Sequence, residues 1–418
     1  MRKICLIHHG TVLGGAPVSL LTLIKPLVQT NKFELRLWCI NEKIGRFFHD
    51  ATDIEYEIIQ PPCLILGRVL IGYSSLYNPN TLIACVRDIV YFPWVVFTQY
   101  RAFKTEGPDI VHLNSSILFA TAIAAKLAGR RVVWHIRESI VGGRFNLRRQ
   151  FACWLITILA DRILTISPFE AGVFSDKRKI QVVYNAVDLA KFNPALYEKN
   201  KARISMGFSL DEKIVVSLGG ASFRKGAVQL IQAAQLLNGK VRLIIAGQAP
   251  PPPVRTGKAR FVRLMLCFEE LLIRYGFKDI YSWYYSERIS VVLFENKRRN
   301  VDFIGDVQDV PLLLAASDAV VFAGTTPHFP RPIYEGWCMK KPVVAFDVEN
   351  VRQNTENEKD VLLVSKRDFN GLVIGINKIL DGENLASALA QNGFKRAVEV
   401  FDIAKSFKQV SSIYASLL

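Results

Sequence analysis

The sequence predicts an α/β protein that contains two doubly wound parallel sheets, and three observations support this. The chain has 418 residues, which is long for one domain and comfortable for two. An apolar strand, Lys3 to His8, runs into a glycine-containing turn and then an amphipathic helix. A second strand, glycine turn and helix follow from Lys213 to Leu237, so the alternation restarts in the second half of the chain.

Composition limits the class of protein and of partner. Half of the residues are hydrophobic and 22% are charged, which is enough apolar material for large buried cores. The formal net charge of +16 favours a polyanionic partner. Because the basic residues are dispersed and no RNA- or DNA-binding motif is present, we expect an anionic membrane surface rather than nucleic acid. A general solubility charge is the open alternative.

Cysteine usage and apolar runs bear on location. The seven cysteines are scattered without CxxC spacing, which favours a reducing compartment and no structural zinc site. The N-terminus lacks the long apolar region of a secretory signal. No run approaches the roughly 20 apolar residues of a spanning helix. The nearest is Ile89 to Phe97, which contains Pro93. These three features together predict a cytoplasmic protein.

The first half supplies two groups of candidate site residues. Gly14 and Gly15 lie in the first turn, where backbone N–H groups and a helix N-terminus favour an anion, although a plain turn is the alternative. His135, Arg137 and Glu138 lie at the carboxyl end of the strand that begins at Arg131. Since the carboxyl ends of parallel strands meet at one edge of a sheet, we expect all five side by side. A core role for His135 stays open.

Two segments of the first half combine apolar and basic side chains. Residues 62–105 predict helices with a wide apolar face, and Gly142 to Asp161 predict a basic amphipathic helix. Such a face either packs on the protein core or lies at a membrane surface. The pattern leaves both interpretations open.

In the second half, a polar, proline-bearing segment places the domain boundary at residue 192. Arg224 and Lys225 lie in the glycine turn before the helix, where cations, N–H groups and the helix dipole together favour a phosphate. A solvated basic turn is the alternative. Residues 249–300 predict an insertion that covers a substrate, touches a membrane or packs on the core.

Glu335 follows a small-residue turn in the stretch from Val321 to Val344. That stretch predicts a strand, a turn, a short helix and a second strand of a parallel sheet. Ligands bind outside the carboxyl ends of such strands, so residues 324–335 would face a ligand. A single carboxylate there suits a pair of sugar hydroxyls better than a metal.

Several short motifs occur along the chain in one order that resembles a known family. They are Gly14-Gly15-Ala16, Ile166-Ser167-Pro168, the run from Val183 to Phe192, Lys225-Gly226, Ala246-Gly247, Gly305-Asp306-Val307, the run from Ala315 to Asp318, and Glu335. The order is similar to that of the GT4 family of retaining glycosyltransferases. The resemblance implies the GT-B fold: two Rossmann-like domains, residues 1–192 on the acceptor side and 193–402 binding the nucleotide-sugar, whose parallel sheets face a central cleft. The last helix, 403–418, would pack back on the first domain.

The resemblance also implies roles for individual residues, with His135, Lys225 and Glu335 as the catalytic ones. The roles are diphosphate binding for Gly14, Gly15, Arg224 and Lys225, ribose or sugar binding for Glu335, His328 and Arg331, and an acceptor-side position for Arg137 and Glu138. His135 would lie near the transferred sugar. No metal or other cofactor is expected, because the donor is a UDP- or GDP-sugar held by these groups.

Two positions depart from the family pattern. Pro327 stands where the first glutamate of the family's EX7E motif belongs, and His328 beside it is a candidate substitute. Gly220 stands where the glycine turn usually carries an arginine. Both departures concern the donor site.

The function expected from this resemblance is metal-independent sugar transfer with retention of anomeric configuration. The acceptor would be a glycan or lipid-linked glycan in surface polysaccharide synthesis (O-antigen, capsule or exopolysaccharide). The protein would be cytoplasmic and peripheral at the inner face of the cell membrane. Two alternatives remain: a nucleotide-sugar epimerase of the same fold, and a catalytically silent membrane- or polymer-binding protein.

Overall fold

The computed structural model describes residues 1–11, 15–59, 63–74, 76, 78–141, 146–249, 300–326 and 329–418. Three positions discussed above, Gly14, Pro327 and His328, lie outside the described residues. The predicted insertion at 249–300 also lies outside them, apart from its two end residues.

The described residues form two compact units. One comprises Met1–Ala186 with Ile403–Leu418, and the other comprises Val187–Asp402. The boundary predicted at residue 192 is therefore a short segment too late. The reason is that Val187 already belongs to the second unit: its N–H donates to the carbonyl of Phe401 (3.0 Å), and it pairs with Asp402.

The first unit is built on a seven-stranded sheet whose neighbouring strands are all parallel. Its order is β3-β2-β1-β4-β5-β6-β7. The strands are β1 (Arg2–Ile7), β2 (Phe33–Cys39), β3 (Glu55–Ile58), β4 (Ile110–Leu113), β5 (Arg131–Ile136), β6 (Arg162–Thr165) and β7 (Ile180–Val182). The central strands are mostly apolar, as expected where helices cover both faces of a sheet, and His112 of β4 and His135 of β5 interrupt the pattern.

Helices connect these strands and cover both faces. They are α1 (Gly15–Gln29), α2 (Glu42–Thr52), α3 (Leu64–Leu70), α4 (Pro79–Glu106), α5 (Phe119–Leu127), α6 (Leu147–Leu159) and α7 (Pro168–Gly172). One core cluster holds the stacked rings of Trp38 and Phe103, whose centroids are 4.6 Å apart, together with α5 and α6. The other cluster holds α1 and Tyr414 from the last helix of the chain.

The second unit repeats the same plan with a six-stranded parallel sheet of order β10-β9-β8-β11-β12-β13. The strands are β8 (Lys213–Leu218), β9 (Val241–Ala246), β10 (Val301–Gly305), β11 (Ala319–Phe322), β12 (Val343–Phe346) and β13 (Leu362–Val364). The helices are α8 (Lys199–Ser205), α9 (Ala227–Leu236), α10 (Val310–Ala316), α11 (Arg331–Cys338), α12 (Glu349–Arg352), α13 (Phe369–Asp381) and α14 (Glu383–Val400). Helix α15 (Ile403–Leu417) then returns to the first unit and packs on α1. The predicted fold class, α/β with two doubly wound parallel sheets, is confirmed.

Helix α4 corrects one expectation. Pro93 was expected to interrupt the apolar run, but the helix continues through it from Pro79 to Glu106. An internal proline removes a single N–H donor, and here the packing of α4 on α3 and α5 keeps the helix continuous. Of the helices that the structure describes, α4 alone has the length and apolar composition of a membrane-crossing helix, and only 22% of its most apolar window is buried.

Candidate functional site

Each sheet has a point where the strand order reverses direction. In the first unit this point lies between β1 and β4, and in the second it lies between β8 and β11. Connections that leave these strands diverge to opposite faces, which opens a crevice at their carboxyl ends. The predicted site residues that the structure describes are taken below crevice by crevice, each within its own unit.

The turn after β8 brings the chain very close to a neighbouring turn. Gly219 and Gly220 both donate their N–H groups to the carbonyl of Ala246 (2.9 and 2.8 Å). Gly220 has φ +70°, and a Cβ there would lie 2.3 Å from the backbone nitrogen of Gln248. No side chain fits at position 220 with this backbone. The absence of the family's usual arginine at Gly220 is therefore built into the packing of the turn.

Lys225 ends a 3-10 turn, Phe223–Lys225, that follows the glycines. Its alkyl chain lies over Gly219, since a Cβ on Gly219 would be 3.0 Å from Lys225 Cγ and Cδ. Burial and, to a lesser extent, the charge of Arg224 lower the pKa of Lys225 to about 8, and the charge of Glu335 opposes the shift. A partly buried ammonium of this kind gains from an anion that completes its surroundings.

Gly226 and the residues after β11 fix the position of that turn. Gly226 has φ +70° and lies against the carbonyl of Ala323, which a Cβ would approach to 2.0 Å. The N–H of Thr325 donates to the carbonyl of Arg224 (3.0 Å). Helix α9 begins directly after Gly226 with no acidic residue in its first turn. Its N-terminal N–H groups and dipole therefore add to the cations of the turn.

Glu335 lies in α11, whose residues from Pro332 to Cys338 are buried. Its side chain is only 10% exposed, and Oε1 accepts a hydrogen bond from Arg331 Nε at 2.5 Å. Arg331 is one helical turn earlier, so the pair holds the carboxylate in one orientation. The second unit thus brings Lys225, Arg224, Glu335 and Arg331 to one strand-order reversal. Cations suited to a diphosphate lie there beside a fixed carboxylate suited to hydroxyl groups.

His135 is the penultimate residue of β5 and is 1% exposed. Its Nδ1 lies 3.3 Å from His112 Nε2, and its own Nε2 is buried without a hydrogen-bond partner among the described residues. Burial, then the charge of Arg137, holds the pKa of His135 well below its usual value, so the ring is neutral. His135 and Arg137 line a small cavity with Ser19 and Thr22 of α1. The alternative of a core histidine with both nitrogens satisfied does not describe this ring.

Sequence reasoning missed several polar residues of this crevice. His112 is fully buried with a pKa lowered to about 3 by burial and the charge of Arg137, and its Nδ1 lies 2.6 Å from the hydroxyl of Tyr414. His8, at the end of β1, accepts a hydrogen bond from Asn114 through Nδ1 (3.2 Å). Polar residues at the ends of β1 and β4 were a usable signal. Nothing in the local sequence connects Tyr414 to them.

Arg137 and Glu138 hold loops of the first unit. Arg137 Nε donates to Asn114 Oδ1 (2.8 Å), and its guanidinium also donates to Asn185. Glu138 accepts from the hydroxyl of Ser115 (2.8 Å) and from the N–H of Ser116 (2.7 Å). Both carboxylate oxygens therefore have partners within the protein. Glu138 therefore holds the loop after β4, and its acceptor-side position stays a prediction.

The remaining predicted residues lie as follows. Gly15 is the first residue of α1 and is exposed, and a Cβ added to it would have nothing within 4 Å. Gly14 and His328 lie outside the described residues. Within the described ranges, no group of three or more His, Cys, Asp or Glu side chains is placed to hold a metal ion.

Two family models match the chain and together span nearly all of it. The model described as Glycosyltransferase Family 4 matches residues 13–191. The model described as Glycosyl transferases group 1 matches residues 198–396. Each match covers most of one compact unit.

Individual relatives agree with the family models. The chain is 22% identical over 337 residues to an Escherichia coli UDP-Gal:alpha-D-GlcNAc-diphosphoundecaprenol alpha-1,3-galactosyltransferase, covering 77% of this chain and 79% of that one. Among solved structures, Anabaena HepE in complex with UDP and glucose matches with a TM-score of 0.73 at 21% identity, covering 100% of both chains. WaaG, a glycosyltransferase involved in lipopolysaccharide biosynthesis, matches with a TM-score of 0.64 at 15% identity, covering 98% of this chain and 99% of that one. At these identities the structural matches show a shared fold.

Proposed function

Because the chain belongs to the GT4-type family of glycosyltransferases of GT-B fold, we propose that it transfers a sugar from a nucleotide-sugar with retention of anomeric configuration. The observation that carries this proposal is the grouping of Lys225 and Glu335 at the strand-order reversal of the second unit. A cation of lowered pKa and a carboxylate held by Arg331 match the two ends of a nucleoside diphosphate: phosphates and ribose hydroxyls.

Lys225 acts in this proposal where negative charge develops. As the bond from the anomeric carbon to the diphosphate breaks, charge accumulates on the departing phosphate oxygens. Lys225, Arg224 and the N-terminal N–H groups of α9 stabilise that charge and are already in place before reaction. These groups carry the charge neutralisation in our proposal, and no metal is assigned a part. Unchanged turnover after treatment with EDTA would support that assignment.

Retention is proposed to occur by front-face displacement. This proposal rests on the sequence, in which no carboxylate is an obvious covalent nucleophile for a two-step route. His135 is neutral because of its burial, so it can hydrogen-bond a sugar hydroxyl but does not act as a fixed positive charge. The anomeric configuration of an isolated product, determined by NMR, tests this part of the proposal.

The relatives support the proposed donor and acceptor classes. HepE has been solved with UDP, with UDP-glucose, and with UDP and glucose, which supports a UDP-sugar as the first donor to test, with GDP-sugars second. The Escherichia coli relative is named for a GlcNAc-diphosphoundecaprenol acceptor, and WaaG for lipopolysaccharide biosynthesis. We propose a glycan or lipid-linked glycan acceptor in surface polysaccharide synthesis, reached by a peripheral protein at the inner face of the cell membrane.

A ligand and product screen tests the proposed function. Purified protein is titrated with UDP, GDP and their sugars by calorimetry, then incubated with donor and membrane lipid extract, and the products are identified by mass. We expect binding of one nucleoside diphosphate and a mass increase of one sugar on the acceptor. Isomerised donor without an acceptor would indicate the epimerase instead. Failure to bind any nucleoside diphosphate would indicate a silent protein and would overturn the proposal.

A further inference from the structure

Helix α4 presents a continuous exposed apolar face. Its exposed apolar residues recur at helical spacing over about four turns. They are Leu82, Ile83, Val86, Ile89, Val90, Tyr91, Trp94 and Phe97. The face is large for side chains in contact with water: Val90 is 70% exposed and Trp94 is 61% exposed. An exposed apolar patch of this extent indicates a binding surface.

Helix α6 presents a second face of the same kind. Leu147, Phe151, Trp154 and Ile158 are three or four residues apart and are all at least half exposed. The rings of Phe151 and Trp154 stack with centroids 5.8 Å apart. The opposite side of α6 is buried through Ala152, Cys153 and Ile156, so the exposed stripe is the side turned away from the core.

Both stripes belong to the same side of the first unit. Helices α4 and α6 pack into one core cluster, and each contacts both α3 and α5. Helix α5 is almost entirely buried. The two apolar stripes therefore flank it on one side of the sheet, and we call them together the α4–α6 surface.

The charges around the α4–α6 surface are basic. Helix α6 carries Arg148 and Arg149 and no acidic residue. Helix α4 carries Arg101 and Lys104, both exposed, and Arg87, which is exposed but pairs with Asp88 at 3.1 Å; its acids are Asp88 and Glu106. Asp88 is buried and accepts hydrogen bonds from the N–H groups of Ile65 and Leu66 at 2.8 and 3.1 Å. The surface therefore combines apolar side chains with cations, which complements an anionic lipid layer.

The inner face of α4 is occupied by protein contacts, which favours a helix that lies along such a layer over one that crosses it. Asp88 binds the N-terminal N–H groups of α3, and Phe103 stacks on Trp38 of β2. Placing α4 across a bilayer would expose these protein-bound groups to hydrocarbon. Only the outer face is available for lipid.

We propose that the α4–α6 surface inserts into the headgroup and upper acyl region of an anionic bilayer, with both helices parallel to the membrane plane. This proposal rests on the function proposed above, sugar transfer to an acceptor at the membrane. This would bring the first unit to the layer that contains a lipid-linked acceptor. The apolar side chains supply the burial, and the arginines and lysine supply attraction to the headgroups.

The test uses matched pairs of exposed aliphatic residues. The double variant Ile83→Glu, Leu147→Glu places two negative charges on the α4–α6 surface, at residues that are 69% and 67% exposed. Ile374→Glu with Ile204→Glu makes the same change at residues of the second unit that are 68% and 67% exposed. Sedimentation with phosphatidylglycerol-containing vesicles should show binding weakened about tenfold or more for the first pair only. Neither pair should bind phosphatidylcholine vesicles strongly.

Independent measurements separate this proposal from the proposed function. Calorimetric binding of nucleoside diphosphates needs no vesicle, so a wild-type protein that binds neither UDP nor GDP would count against the proposed function alone. Wild-type binding to anionic vesicles by the Ile83→Glu, Leu147→Glu variant would overturn the membrane proposal. Analytical ultracentrifugation tests whether the surface instead binds a second copy of the chain. A wild-type dimer that becomes a monomer in this variant, with vesicle binding unchanged, would also overturn the membrane proposal.

A separate observation concerns Tyr414, on the helix α15 that returns to the first unit. The hydroxyl lies 2.6 Å from His112 Nδ1 and has no other hydrogen-bond partner among the described residues. A buried hydroxyl donates its proton where it can, so Tyr414 donates to His112 Nδ1. The proton of neutral His112 is then on Nε2, which donates to His135 Nδ1 at 3.3 Å. Because His135 Nδ1 accepts this hydrogen bond, the single ring proton of neutral His135 is on Nε2.

We infer that Tyr414 is a positioning residue that fixes the tautomer of His135 through His112. His135 then presents Nε2–H as a donor, which a sugar hydroxyl can accept. This inference also rests on the proposed function. It assigns the last helix of the chain an effect on the site histidine beyond packing on α1.

Tyr414→Phe tests the inference because it keeps the ring and removes the hydroxyl. Long-range ¹H–¹⁵N spectra should show Nε2–H for His112 and His135 in the wild type and a mixture of tautomers in the variant. We expect kcat to fall about tenfold with a smaller change in KM. Tyr56→Phe, which removes a hydroxyl bonded to Glu42 at 2.8 Å, is the control that should leave spectra and kcat unchanged. Unchanged tautomers in Tyr414→Phe, or Nδ1–H on wild-type His135, would overturn the inference.

Discussion

Replacement of Lys225 by alanine is expected to lower kcat on the order of a hundredfold to a thousandfold while the protein remains folded. Lys225 lies in the glycine turn after β8, next to Arg224 and the start of α9. Its ammonium is the cation best placed to meet charge that develops on a departing diphosphate. Initial-rate kinetics with the donor identified in the ligand screen measure the change, and circular dichroism measures folding.

The pH dependence of UDP binding gives the same residue a second test. Burial and Arg224 lower the pKa of Lys225 to about 8, so the ammonium is charged below that pH and loses its proton above it. A bound diphosphate favours the charged form and raises the pKa. UDP affinity should therefore be highest below about pH 8 and fall as pH rises toward about pH 9. Lys225→Ala should remove this decline.

Lys341 provides the matched control. Burial lowers its pKa to about 8 as well, but its ammonium donates to the carbonyls of Ala315 and Ser317 (2.9 and 2.8 Å). Lys341→Ala should destabilise the fold and leave the kcat of folded protein near the wild-type value. Equal losses of kcat in Lys225→Ala and Lys341→Ala would contradict the assignment, because they would trace both to folding.

The fold and the donor-side turn were predictable because their signals are local. Continuous apolar strands, glycine turns and amphipathic helices recur in each half, and each part of that pattern spans fewer than about 20 residues. Glycines of positive φ at Gly220 and Gly226 mark where the chain passes close to another backbone. The sequence alone therefore indicates that Lys225 lies in a tight turn between them.

The hydrogen bonds that join His112, Arg137 and Tyr414 to their partners in the first unit were not predictable, because they link residues far apart in the sequence. Tyr414 meets His112 across 302 residues of sequence, and Arg137 meets Asn185 across 48. Periodicity reports which face of a helix is buried but not which side chain it will meet. Glu138 shows the same limit: its position at a strand end predicted a site residue, but not that both of its oxygens accept hydrogen bonds from the loop after β4.

Helix α4 marks a different limit of sequence reasoning. Its apolar pattern is compatible with core packing and with a membrane surface, because hydrophobicity alone does not say which face is covered. The structure covers one face with α3 and α5 and leaves the other exposed. That asymmetry comes from tertiary packing, and it is what makes the membrane proposal testable with single exposed residues.

Glu335→Gln is expected to raise the KM for the nucleotide-sugar about tenfold to a hundredfold, with a smaller effect on kcat. The carboxylate is proposed to accept hydrogen bonds from ribose hydroxyls, and an uncharged amide accepts more weakly. Loss of a charge-assisted hydrogen bond in a buried site costs about 1.5–3 kcal/mol, which corresponds to that range. The ribose is bound alike before and during transfer, so the loss falls mainly on KM.

Asp318→Asn is the control, since its carboxylate is also 10% exposed and also binds an arginine, Arg203, at 2.6 Å. Both variants lose an internal ion pair and should unfold at lower temperature than the wild type, but only Glu335→Gln should change KM. An unchanged KM in Glu335→Gln, or an equal rise in Asp318→Asn, would show that Glu335 serves the fold through Arg331 and does not hold the donor.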